Sequence, residues 1–104
     1  MRKVESEMVV AIQAGKPFSK GNTVVQHQEG VAYVYLHGNL ISEVGEDWLQ
    51  LYDGGWQSNT TKSRLNAILS QFGADDERVY AKKFTWYVGT GNASVPFESG
   101  MILK

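Results

Sequence analysis

The chain has 104 residues, enough for one domain with a hydrophobic core and too few for two ordinary ones. Its composition is globular, with 42% hydrophobic and 20% charged residues, and the formal net charge of −1 argues against duplex nucleic-acid binding by bulk positive charge. The absence of cysteine excludes disulfides and thiolate metal sites, and two histidines are too few for a multi-histidine site. We therefore expect one domain over residues 1–104, soluble and cytoplasmic, without a transmembrane helix, metal or cofactor.

The N-terminal segment predicts a helix over about residues 3–14. Its apolar residues recur at helical spacing: Val4, Met8, Ala11 and Ile12. Gly15 and Pro17 are suited to end that helix, because glycine accepts the left-handed cap conformation and proline cannot continue a helix. Residues 16–22 are predicted to form a loop that Phe18 anchors.

From residue 23 the apolar residues alternate with polar ones, which is typical of strands. Strands are predicted over residues 23–28, 31–36, 40–44 and 48–52, and Glu29-Gly30 is a two-residue hairpin signal. Tight turns between these short strands indicate an antiparallel meander.

A second helix is predicted over about residues 60–72, followed by further strands near residues 79–81, 84–88, 95–97 and 101–103. This helix is predicted from an apolar stripe at positions i, i+3, i+4 and i+7, which is formed by Leu65, Ile68, Leu69 and Phe72. The predicted fold is α+β: an antiparallel meander of about five to seven strands and two helices, with the second helix on one sheet face. Its expected contacts on the sheet are Val34, Leu36, Leu49, Leu51, Phe84 and Trp86.

The start of this second helix is the first candidate binding site. Free backbone N–H groups at a helix N-terminus attract anions, and the segment is rich in hydroxyl, amide and cationic side chains. The candidate anion-binding residues are Ser58, Asn59, Thr60, Thr61, Lys62 and Arg64. Lys62 and Arg64 oppose the helix dipole, a cost that an anionic partner would offset. The alternative is that the polar residues cap the helix, while both cations are solvated or paired with Glu46, Asp47 or Asp53.

The second candidate is an aromatic sheet face. Alternation places Tyr33, Tyr35, Trp48 and Tyr52 on the side opposite the aliphatic residues. Aromatic side chains on an open sheet can stack unpaired bases. The alternatives are that the first helix, or a second protomer, covers this face.

Catalytic signatures are absent from the sequence. The carboxylates occur as neighbouring surface pairs, which gives no basis for separate acid and base roles, and neither histidine has a recognisable partner. We therefore expect a protein that is not an enzyme.

Residues 35–41 (YLHGNLI) and 51–66 (LYDGGWQSNTTKSRLN), with the aromatic strand FTWY at 84–87, carry a resemblance to a known group. The chain resembles small proteins of unknown function from tailed bacteriophages and viral metagenomes, which share the pattern G-W-x-S-x-T-T-x-x-R-L-N. The resemblance implies a phage protein acting in the host cytoplasm and brings no catalytic residues. It favours nucleic-acid binding or inhibition of a host protein over an enzymatic role. Together with the candidate residues, it leads us to expect a binding module for an anionic partner, either single-stranded nucleic acid, which is preferred, or an acidic protein surface. The alternative is a host-factor inhibitor or structural homo-oligomer that uses the aromatic face.

Overall fold

A computed structural model describes residues 2–90 and 92–103; Met1, Gly91 and Lys104 lie outside the described residues. The helices are α1 (Lys3–Ala14) and α2 (Asn59–Phe72). The strands are β1 (Phe18–Lys20), β2 (Thr23–Gln28), β3 (Val31–Leu36), β4 (Asn39–Val44), β5 (Leu49–Leu51), β6 (Arg78–Lys82), β7 (Thr85–Gly89), β8 (Ser94–Pro96) and β9 (Met101–Leu103). The predicted α+β class is therefore confirmed.

The strands form two antiparallel sheets. The large sheet has six strands in the order β1-β2-β3-β4-β5-β9, so the C-terminal strand returns to lie beside β5. Tight turns join its consecutive strands; at Glu29-Gly30 both central residues have positive φ, as a type I′ hairpin requires. The small sheet has three strands in the order β6-β7-β8.

Both helices pack on the same face of the large sheet, which we call the inner face. Alternation along β3 buries Ala32, Val34 and Leu36 on this face, and they join one hydrophobic cluster with residues of α1, α2 and the small sheet. His27, on the inner side of β2, fastens α1 there: its Nε2–H donates to the carbonyls of Ala11 at 3.2 Å and Lys16 at 2.9 Å. The prediction that α2 packs its apolar stripe on the sheet is confirmed, since Leu65, Ile68 and Leu69 are fully buried.

Three details differ from the sequence predictions. Residues 18–20 form a strand rather than a loop, although Phe18 packs against the core as expected. The described residues contain nine strands in two sheets, where five to seven in one meander were predicted. Phe84 was expected to pack beneath α2; it lies instead in the turn between β6 and β7 and is fully exposed, while Trp86 is buried. Alternation in a sequence shows which residues share a face of a strand, but it does not fix where the strand begins. β7 begins at Thr85, one residue later than predicted.

Candidate functional site

The N-terminus of α2 is capped from within the chain. Ser58 is the N-cap, and its Oγ accepts the Thr61 backbone N–H at 3.0 Å. The two hydroxyls also lie 2.9 Å apart, and the Thr61 hydroxyl donates to the Trp56 carbonyl at 3.4 Å. Thr61 is buried, so both side chains serve the cap, as the structural alternative proposed.

Arg64 does not face solvent. Its guanidinium is buried and lies between three elements: Nη1 donates to Glu5 Oε2 at 2.7 Å, Nε to Thr23 Oγ1 at 3.1 Å, and Nη2 to Asn22 Oδ1 at 3.4 Å. The expectation that it binds an external anion is wrong, because Glu5 already occupies the guanidinium. Glu46, Asp47 and Asp53 were the alternative partners expected from the sequence. The actual partner lies 59 residues away in the chain, a separation that no local pattern signals.

Glu5 is held by more than the arginine. Its Oε2 also accepts the Ser63 hydroxyl at 2.6 Å, and its Oε1 accepts the Arg2 backbone N–H at 3.1 Å. Burial alone would raise the pKa of this carboxyl, but the hydrogen bonds from Ser63, Arg2 and Arg64 together with the arginine charge outweigh it and lower the pKa below its ordinary value. Glu5 is therefore an ionised carboxylate in the interior at neutral pH.

Asn66 joins α2 to the small sheet. Its Nδ2 donates to the Val79 carbonyl at 2.9 Å, and its Oδ1 accepts the Val79 backbone N–H at 2.7 Å. One amide side chain thus satisfies both backbone groups of Val79 along the β6 edge. The R-L-N end of the sequence motif therefore holds the fold together through an ion pair, a core leucine and this amide.

A groove remains open on the solvent side of α2. Asn59, Lys62, Ser63, Asn66, Ala67 and Ser70 line it from α2, with Arg78 from β6 and Glu5 at its edge; its volume is ≈ 460 Å³. Within the described part of the chain, Lys62 and Arg78 have no ion-pair partner. Because Arg64 neutralises Glu5, these two cations give the groove its net positive charge. Of the predicted anion-binding set, Asn59 and Lys62 lie in the groove, and Thr60 is partly exposed on the same helix turn.

The predicted aromatic face is the outer face of the large sheet, on the side opposite both helices. Strand register places Gln26, Tyr33, Glu43, Gln50 and Ile102 in one row across five strands. Tyr35 lies in the neighbouring row, where it pairs with Val24 and Leu40. Because α1 packs on the inner face, it does not cover these residues.

Tyr52 and Trp48 occupy different parts of this region. The Tyr52 hydroxyl donates to Glu43 Oε2 at 2.6 Å; burial, this hydrogen bond and the negative charge of Glu43 raise the pKa of Tyr52 to about 12. Trp48 lies at the end of the sheet, where its indole packs so closely on Gly45 that a Cβ there would come within 2.1 Å of Nε1. Trp48 also lines a pocket with Gln50 and Ile102 of the central row. The predicted aromatics therefore lie on a different face of the molecule from Lys62, which lines the groove beside α2.

A second aromatic pair, missed by the sequence analysis, lies on the exposed side of the small sheet. Tyr80 and Tyr87 face each other across β6 and β7 with ring centroids 5.7 Å apart and an interplanar angle of 24°. Alternation puts Arg78 and Lys82 on the same side as Tyr80, and both are exposed. The signal was present in the sequence, since a cation, an aromatic and a cation recur at every second residue from 78 to 82.

Groups of His, Asp and Glu that could hold a metal ion are absent from the described residues. Neither helix in those residues has the length and apolar character needed to cross a bilayer.

The comparisons with known proteins give a family and no activity. Neither the curated proteins nor the solved structures compared with the chain gave a match. The family model described as "Kyanoviridae Gp96 protein" matches residues 1–104. The chain therefore belongs to the Kyanoviridae Gp96 protein family, a family of phage proteins.

Proposed function

We propose that this phage protein is a non-enzymatic binding module that holds single-stranded nucleic acid in the host cytoplasm. The observation that carries the proposal is a continuous cationic and aromatic surface. It runs from the groove beside α2, through Arg78, to the stacked pair Tyr80 and Tyr87 on the exposed side of the small sheet.

The distribution of charge favours this surface, rather than the outer face of the large sheet, as the nucleic-acid binding site. Lys62, Arg78, Lys82 and Lys83 supply four cations along it, and the carboxylate at its edge, Glu5, is neutralised by Arg64. Glu77 precedes Arg78 but turns away, since its Oε1 accepts the Ala74 backbone N–H at 3.0 Å and it lines a separate cavity with Trp48. The phosphate backbone of a nucleic acid is attracted to such a strip despite a net charge of −1.

The aromatic pair supports single-stranded over double-stranded nucleic acid. Unpaired bases present their flat faces to aromatic side chains, whereas bases in a duplex are already stacked on each other. Tyr80 and Tyr87 are half-buried, which leaves part of each ring accessible beside exposed cations. Stacking on these rings requires no particular base, so we expect little sequence preference.

The test is the affinity for a fluorescein-labelled oligodeoxythymidylate at two salt concentrations. Four phosphate contacts predict a log–log salt slope of about −2.8, so affinity should fall about 50-fold between about 50 mM and about 200 mM salt. In Lys62→Ala/Arg78→Ala the slope should fall to about −1.4, so the loss over the same range becomes about sevenfold.

Lys16→Ala is the matched control, because Lys16 is an exposed cation at the opposite end of α1 from Glu5. It should leave the slope unchanged. Absence of binding at low salt would overturn the proposal, as would equal slopes for wild type and Lys62→Ala/Arg78→Ala. Arg64→Ala is unsuitable for this purpose, because removing a buried ion-pair partner would disturb the fold.

A second candidate function follows from the outer face of the large sheet: self-association of two copies. This face presents Tyr33, Tyr35 and Ile102 beside two uncharged amides, Gln26 and Gln50, and Glu43, the carboxylate in its central row, accepts a hydrogen bond from Tyr52. Two copies can therefore meet there without strong like-charge repulsion, and interface cores are typically enriched in aromatics and poor in charge.

Light scattering at tens of micromolar tests this candidate. A dimer that becomes a monomer in Tyr33→Glu supports it, because a carboxylate at Tyr33 would lie beside Glu43. A wild-type monomer at that concentration contradicts self-association. Neither result bears on the groove, since α2 lies on the opposite face of the sheet.

A further inference from the structure

Among the described residues, the turn between β6 and β7 differs from the two other β-hairpin turns in which both central residues have positive φ. In Glu29-Gly30 and His37-Gly38 the second residue is glycine, which adopts this conformation without steric cost. Between β6 and β7 the central residues are Lys83 at φ 51° and Phe84 at φ 67°. A bulky side chain in the left-handed region is a true conformational outlier.

No burial within the chain offsets the conformational strain at Phe84. Its side chain is 103% exposed, so it buries no apolar area against the fold. A strained position held by a residue without internal contacts indicates a role outside the fold. The β6–β7 tip, which we define as Lys82, Lys83 and Phe84, thus presents a bare aromatic ring beside two exposed cations.

We propose that the β6–β7 tip stacks the Phe84 ring on a base of single-stranded nucleic acid while Lys82 and Lys83 hold neighbouring phosphates. The inference rests on the function proposed above and assigns it a specific contact residue. The same hairpin carries the stacked Tyr80 and Tyr87, so the tip extends that surface outward.

The chemistry of the tip favours a nucleic acid over a membrane or an apolar protein groove. A bilayer anchor needs a larger apolar surface than one ring, and the other residues around the turn are Ala81, the two lysines and Thr85. A single exposed ring can stack on a base through its π face alone, and nearby cations contribute phosphate contacts that are sensitive to salt.

The test compares wild type with variants at position 84 in the oligodeoxythymidylate assay. Phe84→Ala should weaken binding by between about 5-fold and about 150-fold, the range for losing one stacked base. The salt slope should stay unchanged, because no charge is removed. Phe84→Trp should bind about as tightly as wild type because it keeps an aromatic ring. Phe84→Leu keeps an apolar side chain but lacks a ring, so it should bind as weakly as Phe84→Ala. Thermal melting of each variant checks that the fold is intact.

The controls separate this inference from the proposed function. Trp56→Ala removes another exposed aromatic, which lines a different cavity, and should leave affinity unchanged. Equal affinity in wild type and Phe84→Ala, or full affinity in Phe84→Leu, overturns the role of the ring while the groove proposal stands. No binding by wild type overturns both, and binding of phosphatidylserine vesicles that depends on Phe84 would replace the inference with a membrane contact.

Discussion

The Arg64 guanidinium of α2 and the Glu5 carboxylate of α1 form a buried ion pair at 2.7 Å, with side chains only 5% and 3% exposed. The carboxylate also accepts hydrogen bonds from the Ser63 hydroxyl and the Arg2 backbone N–H. The guanidinium also donates hydrogen bonds to the side-chain oxygens of Thr23 and Asn22. The pair joins both helices to the start of β2. Its charges are compensated inside the protein, and this leaves Lys62 and Arg78 to determine the potential of the groove.

Removing one partner of this pair should destabilise the fold strongly. Arg64→Ala leaves a buried carboxylate without its cation, which costs about 3–5 kcal/mol of unfolding free energy. The double variant Glu5→Leu/Arg64→Met removes both charges and should recover much of that loss, because an apolar pair of similar size needs no desolvation compensation. Urea unfolding measures both values. A double variant as unstable as Arg64→Ala would show that the surrounding hydrogen bonds, rather than the pairing of charges, matter most.

The same pair predicts an acid-sensitive fold. The folded-state pKa of Glu5 lies below its ordinary value of 4.5, so the unfolded state binds the proton more readily. The stabilisation is therefore complete above the ordinary pKa and is lost as pH falls through the lowered folded-state value. Urea unfolding of wild type from pH 7 downward should show this loss. Glu5→Gln should be less stable at pH 7 and show a shallower decline, and parallel curves for the two proteins would contradict the assignment.

Asn66 should control the attachment of the small sheet to α2. Asn66→Ala removes both hydrogen bonds to the Val79 backbone and leaves a buried N–H and C=O without partners, at about 1–3 kcal/mol for each group. Hydrogen exchange should accelerate most at the Val79 amide and less at amides of β3. Asn66→Asp is the sharper variant, because it keeps an acceptor for the N–H and loses the donor to the carbonyl. Uniform acceleration across both sheets would indicate global destabilisation instead.

Phe84→Gly should make the protein more stable. Glycine relieves a left-handed conformation that costs a side chain roughly 1–2 kcal/mol, and an exposed Phe84 ring contributes no burial to offset it. We expect a higher melting temperature, measured by circular dichroism. Gly30→Phe, the converse change in the β2–β3 turn, should lower it. A stability loss in Phe84→Gly would mean that the ring makes contacts within the folded chain.

Patterns that repeat along the chain predicted most of the fold. The stripe from Leu65 to Phe72 gave α2 nearly to the residue, and the alternation in β3 gave its buried face, because burial on one side imposes a period on the sequence. The division into two sheets was not predictable in this way. It depends on the long-range pairing of β9 with β5 and on Asn66 holding β6, and neither leaves a local signal.

The candidate site was predicted less well for the same reason. Lys62 was expected at the surface and lines the groove, whereas Arg64 was expected beside it and is buried. Residues two apart on a helix point in different directions, so one can face solvent while the other faces α1. Phe84 was expected in the core because it alternates with Trp86 in the predicted strand over residues 84–88. The strand begins at Thr85, so Phe84 lies in the exposed turn before it.

The side-chain amide of Asn66 also affects whether a second copy of this protein can add a strand to the small sheet. β6 is an edge strand, and the unpaired backbone groups of an edge offer a template on which another chain can add a strand. At Val79 both groups are already taken by a side chain that mimics a neighbouring strand. An incoming strand would have to displace Asn66 and the helix behind it, so the small sheet is protected at this edge against aggregation.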